Sequence, residues 1–282
     1  LDRGSNPARS AVSSIGGGVC TSSTPYRRAR RRRFWRHNAK EWYSSWFDSP
    51  YYHSLYSHRN HQEAADFVSQ LIDLIQPAKD AHILDVACGR GRHALEMYRH
   101  GYAVTGIDLS PENVKYAKEE ARNKQTSDAL QFMVHDMRKP LDTQFSHVFN
   151  LFTSFGYFKD PKDNIRVLES FRAQLAPNGV GVIDFLNPSW VLANLVKEES
   201  IERDGIKFSI QRYTEGKWLC KDIQFQVDKH NYQFQEQVEL LEINDFITLF
   251  SQTNLQLVDL FGDYQLQAYD KELSKRQILI FQ

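Results

Sequence analysis

A carboxylate, two glycines and a second carboxylate follow one another at spacings suited to binding a nucleotide. Asp85 lies in the apolar run Ile83-Leu-Asp-Val86, Gly89 and Gly91 come directly after it, and Asp108 stands 17 residues beyond Gly91. Glycines let a backbone turn tightly and approach a ligand closely. An acid at the end of the next strand can hold a ribose diol. These residues therefore predict a nucleotide-sized binding loop.

The residues around this loop predict the elements that must position it. An uninterrupted short apolar run is typical of a strand buried on both faces of a parallel sheet, and the run ending at Val86 has that character. Ala94 to Tyr98 continues as a helix, and Ala103 to Asp108 forms the next strand. The pattern predicts a strand, a glycine loop, a helix and a second parallel strand.

Two classes of ligand suit this layout. Gly89-Arg-Gly-Arg-His-Ala94 fits the G-x-G-x-x-A fingerprint of dinucleotide-binding loops, so an NAD(P)-dependent oxidoreductase is one alternative. Asp85 favours the other class, because a carboxylate at the end of the strand would repel a pyrophosphate and attract a cation. S-adenosylmethionine (SAM) brings a sulfonium and an ammonium to such a crevice and carries no phosphate.

The segment Asp85-Val-Ala-Cys-Gly-Arg-Gly91 resembles the D/E-x-G-x-G-x-G cofactor loop of class I SAM-dependent methyltransferases, with Ala87 at a position where glycine is usual. The resemblance covers roughly residues 41–282. Later segments resemble the third strand with its acid, the fourth strand, and the helix, turn and fifth strand of the family; these are Leu130–Met137, Phe145–Phe152, Leu168–Gly179 and Val180–Phe185. It implies an α/β fold with a seven-stranded mixed, mostly parallel sheet and helices on both faces.

The resemblance also implies a set of residues that bind the cofactor S-adenosyl-L-methionine. Asp85 would face its ammonium group, Asp108 the ribose and Asp136 the adenine edge, while Tyr56 and Arg59 would hold the methionine carboxylate. The full set of implied cofactor-binding residues is Tyr56, Arg59, Asp85, Ala87, Gly89, Gly91, Asp108, Leu109, Asp136, Met137 and Leu151. No metal site is expected.

Alternating apolar and polar residues after the fifth strand predict an antiparallel insertion. The alternation runs through Ile206–Thr214, Trp218–Val227 and Tyr232–Leu240, with turn residues between the segments. By resemblance, residues 188–241 form a β lid over the active site, and a dimerisation sheet is the alternative. Residues 242–282 return to the core as a helix and two last strands.

The basic residues are concentrated at one end of the chain. Residues 1–38 carry nine arginines and one acid, which leaves a net charge of −8 on the rest. We expect residues 1–38 to be a non-globular arm with three competing origins: expression-derived or mistranslated sequence, an organellar transit segment, or a nucleic-acid arm. Residues 39–187 are expected to form an N-terminal cap and the SAM-binding core.

Charge, hydropathy and cysteine content limit the partners. An acidic body is a poor host for nucleic acid, because binding relies on neutralising phosphates. The chain has no apolar run of the roughly 18 residues that a membrane span needs. Its three scattered cysteines indicate a reducing compartment. We therefore expect a cytoplasmic protein, a monomer or homodimer, that binds neither nucleic acid nor membranes.

The sequence predicts transfer of a methyl group from SAM to a nitrogen or oxygen of a small-molecule acceptor. Catalysis would come chiefly from positioning and from exclusion of water. No catalytic residue is assigned; His58, His93 and Tyr157 are candidates for a general base. The alternatives are the NAD(P)-dependent oxidoreductase and a non-catalytic SAM-binding protein.

Overall fold

The computed structural model describes residues 35–36, 42–56 and 61–282. These ranges form twelve strands and eight helices. In chain order they are β1 (Trp35–Arg36), α1 (Trp42–Trp46), α2 (Pro50–Leu55), α3 (His61–Ile75), β2 (His82–Val86), α4 (Arg92–Arg99), β3 (Ala103–Asp108), α5 (Pro111–Asn123), β4 (Leu130–Val134), β5 (Phe145–Asn150), α6 (Pro161–Gln174), β6 (Leu175–Leu186), α7 (Pro188–Ala193), β7 (Glu198–Arg203), β8 (Ile206–Glu215), β9 (Trp218–Val227), β10 (His230–Glu239), α8 (Ile243–Gln252), β11 (Leu257–Phe261) and β12 (Arg276–Phe281).

Within these ranges the larger sheet has seven strands in the order β11-β12-β6-β5-β2-β3-β4. Strands β2 to β6 pair in parallel, whereas β12 runs antiparallel to β6 and β11 antiparallel to β12. The predicted seven-stranded mixed sheet is therefore confirmed. The chain leaves β2 toward β3 on one side and returns to β5 on the other, so a crevice opens at the carboxyl end of β2, where sheets of this kind bind ligands.

Two apolar cores cover the two faces of this sheet. One core packs α6 and α8 against the sheet, with Phe171, Phe246 and Phe250 fully buried. The other packs α3, α4 and α5, and it buries Leu71 and Met97. The predicted placement of helices on both faces is confirmed, and it holds the carboxyl ends of the strands in a fixed geometry.

The smaller sheet has the order β1-β10-β9-β8-β7, and β7 to β10 pair antiparallel. Three of these strands, β8 to β10, were predicted from their alternation. The sequence analysis missed β7, because Glu198–Arg203 contains a single apolar residue, Ile201, and so carries no periodic signal. It nevertheless pairs with β8 along its whole length.

The two cap helices, α1 and α2, pack on the smaller sheet. Trp46 and Leu55 are buried against Phe208, Ile223 and other aromatic and aliphatic residues of that sheet. Cap, lid and core belong to one compact unit, residues 34–282. Apart from β1, the predicted arm of residues 1–38 lies outside the described residues. None of the helices that the structure describes has both the length and the apolarity to cross a membrane.

One local prediction was placed differently by the structure. The Pro-Asn-Gly segment at 177–179 was predicted as a turn before the fifth strand, and it lies within β6. The pairing of β5 with β6 shifts register between Phe145 and His147, and Asn178 adopts a positive φ of 61°. The segment therefore forms an irregularity inside the strand, since the chain turns there without leaving the sheet.

Candidate active site

A cavity of about 590 Å³ opens at the carboxyl ends of the parallel strands. Its walls come from the cap helices, the glycine loop after β2, the first turn of α4, one side of α5, β4 and the loop after β5. Asp204, in the turn between β7 and β8, also lines it. The volume lies within the range usual for sites that take a cofactor or a small molecule.

The glycine loop adopts a backbone that favours residues without a side chain. Ala87, Gly89 and Gly91 all have positive φ values, of 56°, 56° and 77°. A Cβ atom on Gly91 would lie 2.6 Å from the ring of Phe132, whereas one on Gly89 would meet no atom within 4 Å. Gly91 is therefore required for packing, and Gly89 leaves open space beside the cavity. Ala87 takes the left-handed conformation that its usual glycine would adopt more easily.

Asp85 lies in β2, just before the loop, and only 1% of its surface is exposed. Its Oδ2 atom has no hydrogen-bond partner in the described structure. Burial raises the pKa of its carboxyl to about 7, although the backbone N–H of Ala94 and the guanidinium of Arg92 lower it. A buried carboxylate oxygen without a partner is costly. A cation beside this oxygen would remove that cost.

Asp108, at the end of β3, lines the cavity and closes the loop from the other side. Its carboxylate accepts hydrogen bonds from the backbone N–H groups of Gly89, at 2.8 Å, and Ser110, at 2.9 Å. Burial raises the pKa of this carboxyl, and these N–H groups lower it. Because two carboxylate oxygens have about four acceptor positions, both can still accept from a ligand's hydroxyl groups.

The cap is joined to the helix that follows Asp108. The Oγ atom of Ser110 donates to Asp48 at 2.5 Å, and His53 Nε2 lies 2.8 Å from Asn113 Oδ1. Burial lowers the pKa of His53 to about 4, and the nearby Arg90 lowers it further, so the ring is neutral at neutral pH. The cap therefore covers the cavity beside Asp108.

A strained loop follows β5 and lines the cavity. Phe152 and Thr153 both have positive φ values, of 68° and 55°. Asp184 accepts from the backbone N–H of Phe152 at 2.8 Å and from Arg276 Nε at 2.7 Å, and Arg276 donates to Thr153 Oγ1 at 2.8 Å. Consecutive non-glycine residues in this conformation persist only where the surroundings hold them. The Asp184–Arg276 pair holds this loop.

Tyr56 lines the cavity from the end of α2. Its hydroxyl lies 2.9 Å and 3.0 Å from the two carboxylate oxygens of Glu236, and Lys221 Nζ lies 2.5 Å from the phenolic oxygen. Trp46 Nε1 also donates to Glu236, at 2.6 Å. We call Tyr56, Lys221 and Glu236 the Tyr56 cluster; it joins the cap to β9 and β10 of the lid.

A family model described as a methyltransferase domain matches residues 77–240, more than half of the chain. The chain belongs to the class I SAM-dependent methyltransferases. The match supports SAM as the cofactor over the dinucleotide alternative. Two structural features agree with this assignment: Asp85 has a buried carboxylate oxygen without a partner directly before the glycine loop, and Gly89, which lines the cavity, has open space beside it.

Two curated relatives and one solved structure illustrate the similarity. The methyltransferase is 27% identical over 151 residues to the glycine N-methyltransferase of Rattus norvegicus. This alignment covers 49% of this chain and 52% of that protein. The chain is 30% identical over 159 residues to the dTDP-3-amino-3,4,6-trideoxy-alpha-D-glucopyranose N,N-dimethyltransferase of Streptomyces venezuelae, covering 55% and 64%. The alignments thus span about half to two thirds of these relatives.

The solved structure is an S-adenosylmethionine-dependent methyltransferase from Clostridium acetobutylicum ATCC 824. It superposes with a TM-score of 0.69 at 16% identity and covers 82% of this chain and 95% of that one. At this identity the likeness shows the shared fold alone. The fold extends well beyond the segment that the family model matches.

Among the predicted cofactor residues of this methyltransferase, several lie away from the cavity lining. Asp136 pairs with Arg138 at 2.7 Å, and Arg138 also bridges to Asp163 at 3.0 Å. Leu109 is 38% exposed, and Met137 packs partly buried against the first core. The proposed contact of Asp136 with adenine, and those of Leu109 and Met137 with the cofactor, stay predictions. By contrast Leu151, Ala87, Gly89, Gly91, Asp108 and Tyr56 line the cavity. Asp85 is buried in β2 directly before the glycine loop and is not a lining residue, so its contact with the cofactor also stays a prediction. Arg59, like the base candidate His58, lies outside the described residues.

The sequence analysis missed Arg92, a cation in the wall of the cavity. Its guanidinium lies 4.6 Å from the centre of the Phe152 ring and 3.8 Å from the carboxylate of Glu63. Its side chain is 19% exposed, and it lowers the pKa of Asp85. The sequence does show a basic residue in the first helical turn after the glycines. The helical pattern alone does not indicate that its side chain faces the cavity.

The two remaining base candidates are poorly placed to take a proton. Burial holds the pKa of His93 well below its usual range, and the adjacent Arg92 lowers it further. Tyr157 donates its hydroxyl proton to the carbonyl oxygen of Thr153, and burial raises its pKa well above the usual value. Neither residue is suited to accept a proton at neutral pH.

Proposed function

We propose that the protein transfers a methyl group from SAM to a nitrogen or oxygen of a small-molecule acceptor. The observation that carries this proposal is the charge pattern around one glycine loop. The buried Oδ2 of Asp85, which has no hydrogen-bond partner in the described structure, lies just before the loop, and Arg92, whose side chain lines the cavity, lies just after it. An amino acid zwitterion presents an ammonium and a carboxylate in the same way. A dinucleotide pyrophosphate offers only negative charge.

Each of these residues would bind a different group of the cofactor. Asp85 would attract its ammonium, Arg92 its carboxylate and Asp108 its ribose hydroxyls, while Gly89 leaves room for close approach. Bound SAM supplies a methyl group on a positively charged sulfur, which a nucleophile can attack. The chain's contribution would be to fix the angle of attack and keep water out, which can supply a large part of the rate enhancement.

The acceptor would enter between the cap, the loop after β5 and the lid. Aromatic side chains dominate this part of the wall, among them Phe47, Tyr52 and Tyr157. Rings of this kind suit a small organic molecule and attract a cationic group. The Streptomyces venezuelae relative is named for dimethylating an amino sugar nucleotide, and an amino group on a small metabolite is a reasonable first acceptor class.

The remaining expectations belong to the same proposal. The protein would act without nucleic acid or membrane partners, as a monomer or a homodimer, in the cytoplasm. The two cysteines that the structure describes, Cys88 and Cys220, are both buried and unpaired, which suits a reducing compartment.

The deciding experiment is a calorimetric titration of the full chain with SAM, S-adenosylhomocysteine and NADH. We expect on the order of micromolar binding for the two sulfur compounds and none for NADH, corresponding to about −8 kcal/mol. Transfer of a labelled methyl group to a panel of amino sugars, amino acids, amines and phenols then identifies the acceptor. Binding of NADH alone would overturn the proposal. If the chain binds SAM but methylates neither the panel nor any compound in a cell extract, it is a non-catalytic SAM-binding protein.

A further inference from the structure

The directions of the hydrogen bonds in the Tyr56 cluster are fixed by its chemistry. An ammonium group only donates and an ionised carboxylate only accepts. Lys221 therefore donates to the phenolic oxygen of Tyr56, and Tyr56 donates its one proton to Glu236. Because its proton is donated to Glu236, the phenol of Tyr56 would act as a hydrogen-bond acceptor toward a ligand. It is suited to an N–H or O–H group, and less suited to the methionine carboxylate that the resemblance implied.

We propose that Tyr56 carries a proton from an amine acceptor to Glu236, and that Lys221 positions the phenol for this transfer. This inference rests on the function proposed above and specifies its substrate class. Tyr56 lines the cavity, whereas Glu236 is not one of its lining residues and has a side chain that is 15% exposed. Glu236 acts through Tyr56, so Tyr56 is the residue that touches the substrate.

This proton transfer would give an aliphatic amine acceptor the free lone pair that it lacks at neutral pH. Aliphatic amines have pKa values of roughly 10, so they arrive as ammonium ions without a lone pair. One N–H proton passes to the phenolic oxygen while the phenolic proton passes to Glu236. The freed nitrogen lone pair then forms the N–CH₃ bond as the S–CH₃ bond breaks, and that electron pair stays on sulfur. Glu236 later returns its proton to water.

The groups around the cluster support this assignment. Lys221 from β9 lies 3.4 Å from Glu236 and offsets its charge, and Trp46 from α1 orients one carboxylate oxygen. Tyr157, from the loop after β5, and Tyr52, from α2, also face the cluster, and the charge of Glu236 raises the pKa of Tyr157. The charge of Arg276 lowers the pKa of Tyr157, and that of Asp108 raises it. Tyr157 keeps its proton on the Thr153 carbonyl, so it does not compete for the acceptor's proton.

The test uses Tyr56→Phe and Glu236→Gln, with Tyr51→Phe as the control. Tyr51 lies on α2, which ends just before Tyr56, but its hydroxyl bonds to Tyr232 and it does not line the cavity. With the best amine from the acceptor panel, we expect both test variants to lose about a hundredfold in kcat at pH 7, within the usual range for acid–base catalysis. KM and the Kd for SAM should stay within about threefold of wild type. Tyr51→Phe should match wild type.

The pH profile separates proton transfer from a structural role. As the pH approaches the amine's own pKa, roughly 10, the acceptor loses its proton to water and the deficit of both variants should shrink. Glu236→Asp keeps a carboxylate and should retain part of the rate that Glu236→Gln loses. A deficit that is constant with pH, or equal in Asp and Gln variants, would overturn the relay.

Other outcomes are equally decisive. If Tyr56→Phe weakens SAM binding by about tenfold or more, Tyr56 holds the cofactor instead. Methyl transfer to hydroxyl acceptors alone would overturn the amine assignment. A wild-type chain that binds no SAM would refute the proposed function, whereas wild-type turnover with unimpaired variants would refute only the relay.

Discussion

The two parts of the proposed site are built in different ways. We call the residues around the glycine loop the cofactor half, and those around Tyr56 and the loop after β5 the acceptor half. In the cofactor half, Asp85, Gly89 and Asp108 come from one strand-loop-helix-strand unit, and the backbone of Gly89 bonds directly to Asp108. In the acceptor half, Tyr56 meets Glu236 across 180 positions of sequence, and Thr153 meets Arg276 across 123. The first half is encoded locally, whereas the second exists only once distant elements have packed.

This difference predicts which substitutions act on the fold and which act on the ligand. In the acceptor half, side chains hold one another, so removing one leaves a buried partner without its bond. In the cofactor half, Asp108 bonds to the backbone N–H groups of Gly89 and Ser110 and not to a buried charge, so removing its side chain should cost less stability and should chiefly affect the ligand.

The largest effect is expected from Arg276→Met, which leaves Asp184 buried without its cation. Removing one partner of a buried ion pair costs about 3–5 kcal/mol of unfolding free energy. Arg212→Met is the matched control, because its pair with Glu199, at 2.7 Å, lies in the lid and is more exposed. We expect it to cost less than about 1 kcal/mol. Urea unfolding measures both, and equal losses would show that the loop after β5 is not held by this pair.

Asp85→Asn should have opposite effects on stability and on SAM affinity. Burial raises the pKa of Asp85 to about 7 in the folded protein. The folded state therefore keeps a proton that the unfolded state releases near pH 4, and the free energy of unfolding falls as the pH rises from about 4 to 7. The loss is on the order of 4 kcal/mol, and stability below this window is unaffected.

Asparagine carries no charge, so Asp85→Asn should remove this decline and unfold at a higher temperature than wild type at pH 8. It should also bind SAM about tenfold or more weakly, because the ammonium loses its counter-charge. Wild-type affinity should rise with pH up to about 7, and that of the variant should not. Thermal unfolding and calorimetry at several pH values check these expectations. Unchanged SAM affinity at every pH would remove Asp85 from the ammonium site.

Much of the cofactor half could be predicted from the sequence, and much of the acceptor half could not. The glycine loop, Asp85 and Asp108 stand at fixed spacings, because a strand, a loop and a helix follow one another along the chain. No local pattern pairs Tyr56 with Glu236. The sequence shows Asp184 and Arg276 only as residues of two strands, and they meet only because β12 pairs antiparallel with β6. The charge of Arg92 was visible, but its position over Phe152 depends on the loop after β5.

Asp108→Ala tests the ribose assignment. A charged hydrogen bond contributes about 1.5–3 kcal/mol, so losing the carboxylate should weaken SAM binding by about a hundredfold. Glu112→Ala is the control, since this acid lies in the first turn of α5 and does not line the cavity. Calorimetry should show no change for the control. A dissociation constant that Asp108→Ala leaves unchanged would rule out the ribose role.

The smallest expected effect belongs to Arg92→Met, and it is the most selective. If Arg92 holds the methionine carboxylate, its loss should weaken S-adenosylhomocysteine binding by about tenfold, or roughly 1.4 kcal/mol. Methylthioadenosine has the same nucleoside and sulfur but no carboxylate, so its affinity should be the same for wild type and variant. Calorimetry with both ligands separates a direct contact from a change in the loop, because a disturbed loop would weaken both ligands alike. If the affinities for both ligands fall equally, Arg92 supports the fold, as Arg276 does. Side chains would then support both halves of the proposed site, contrary to the difference argued above.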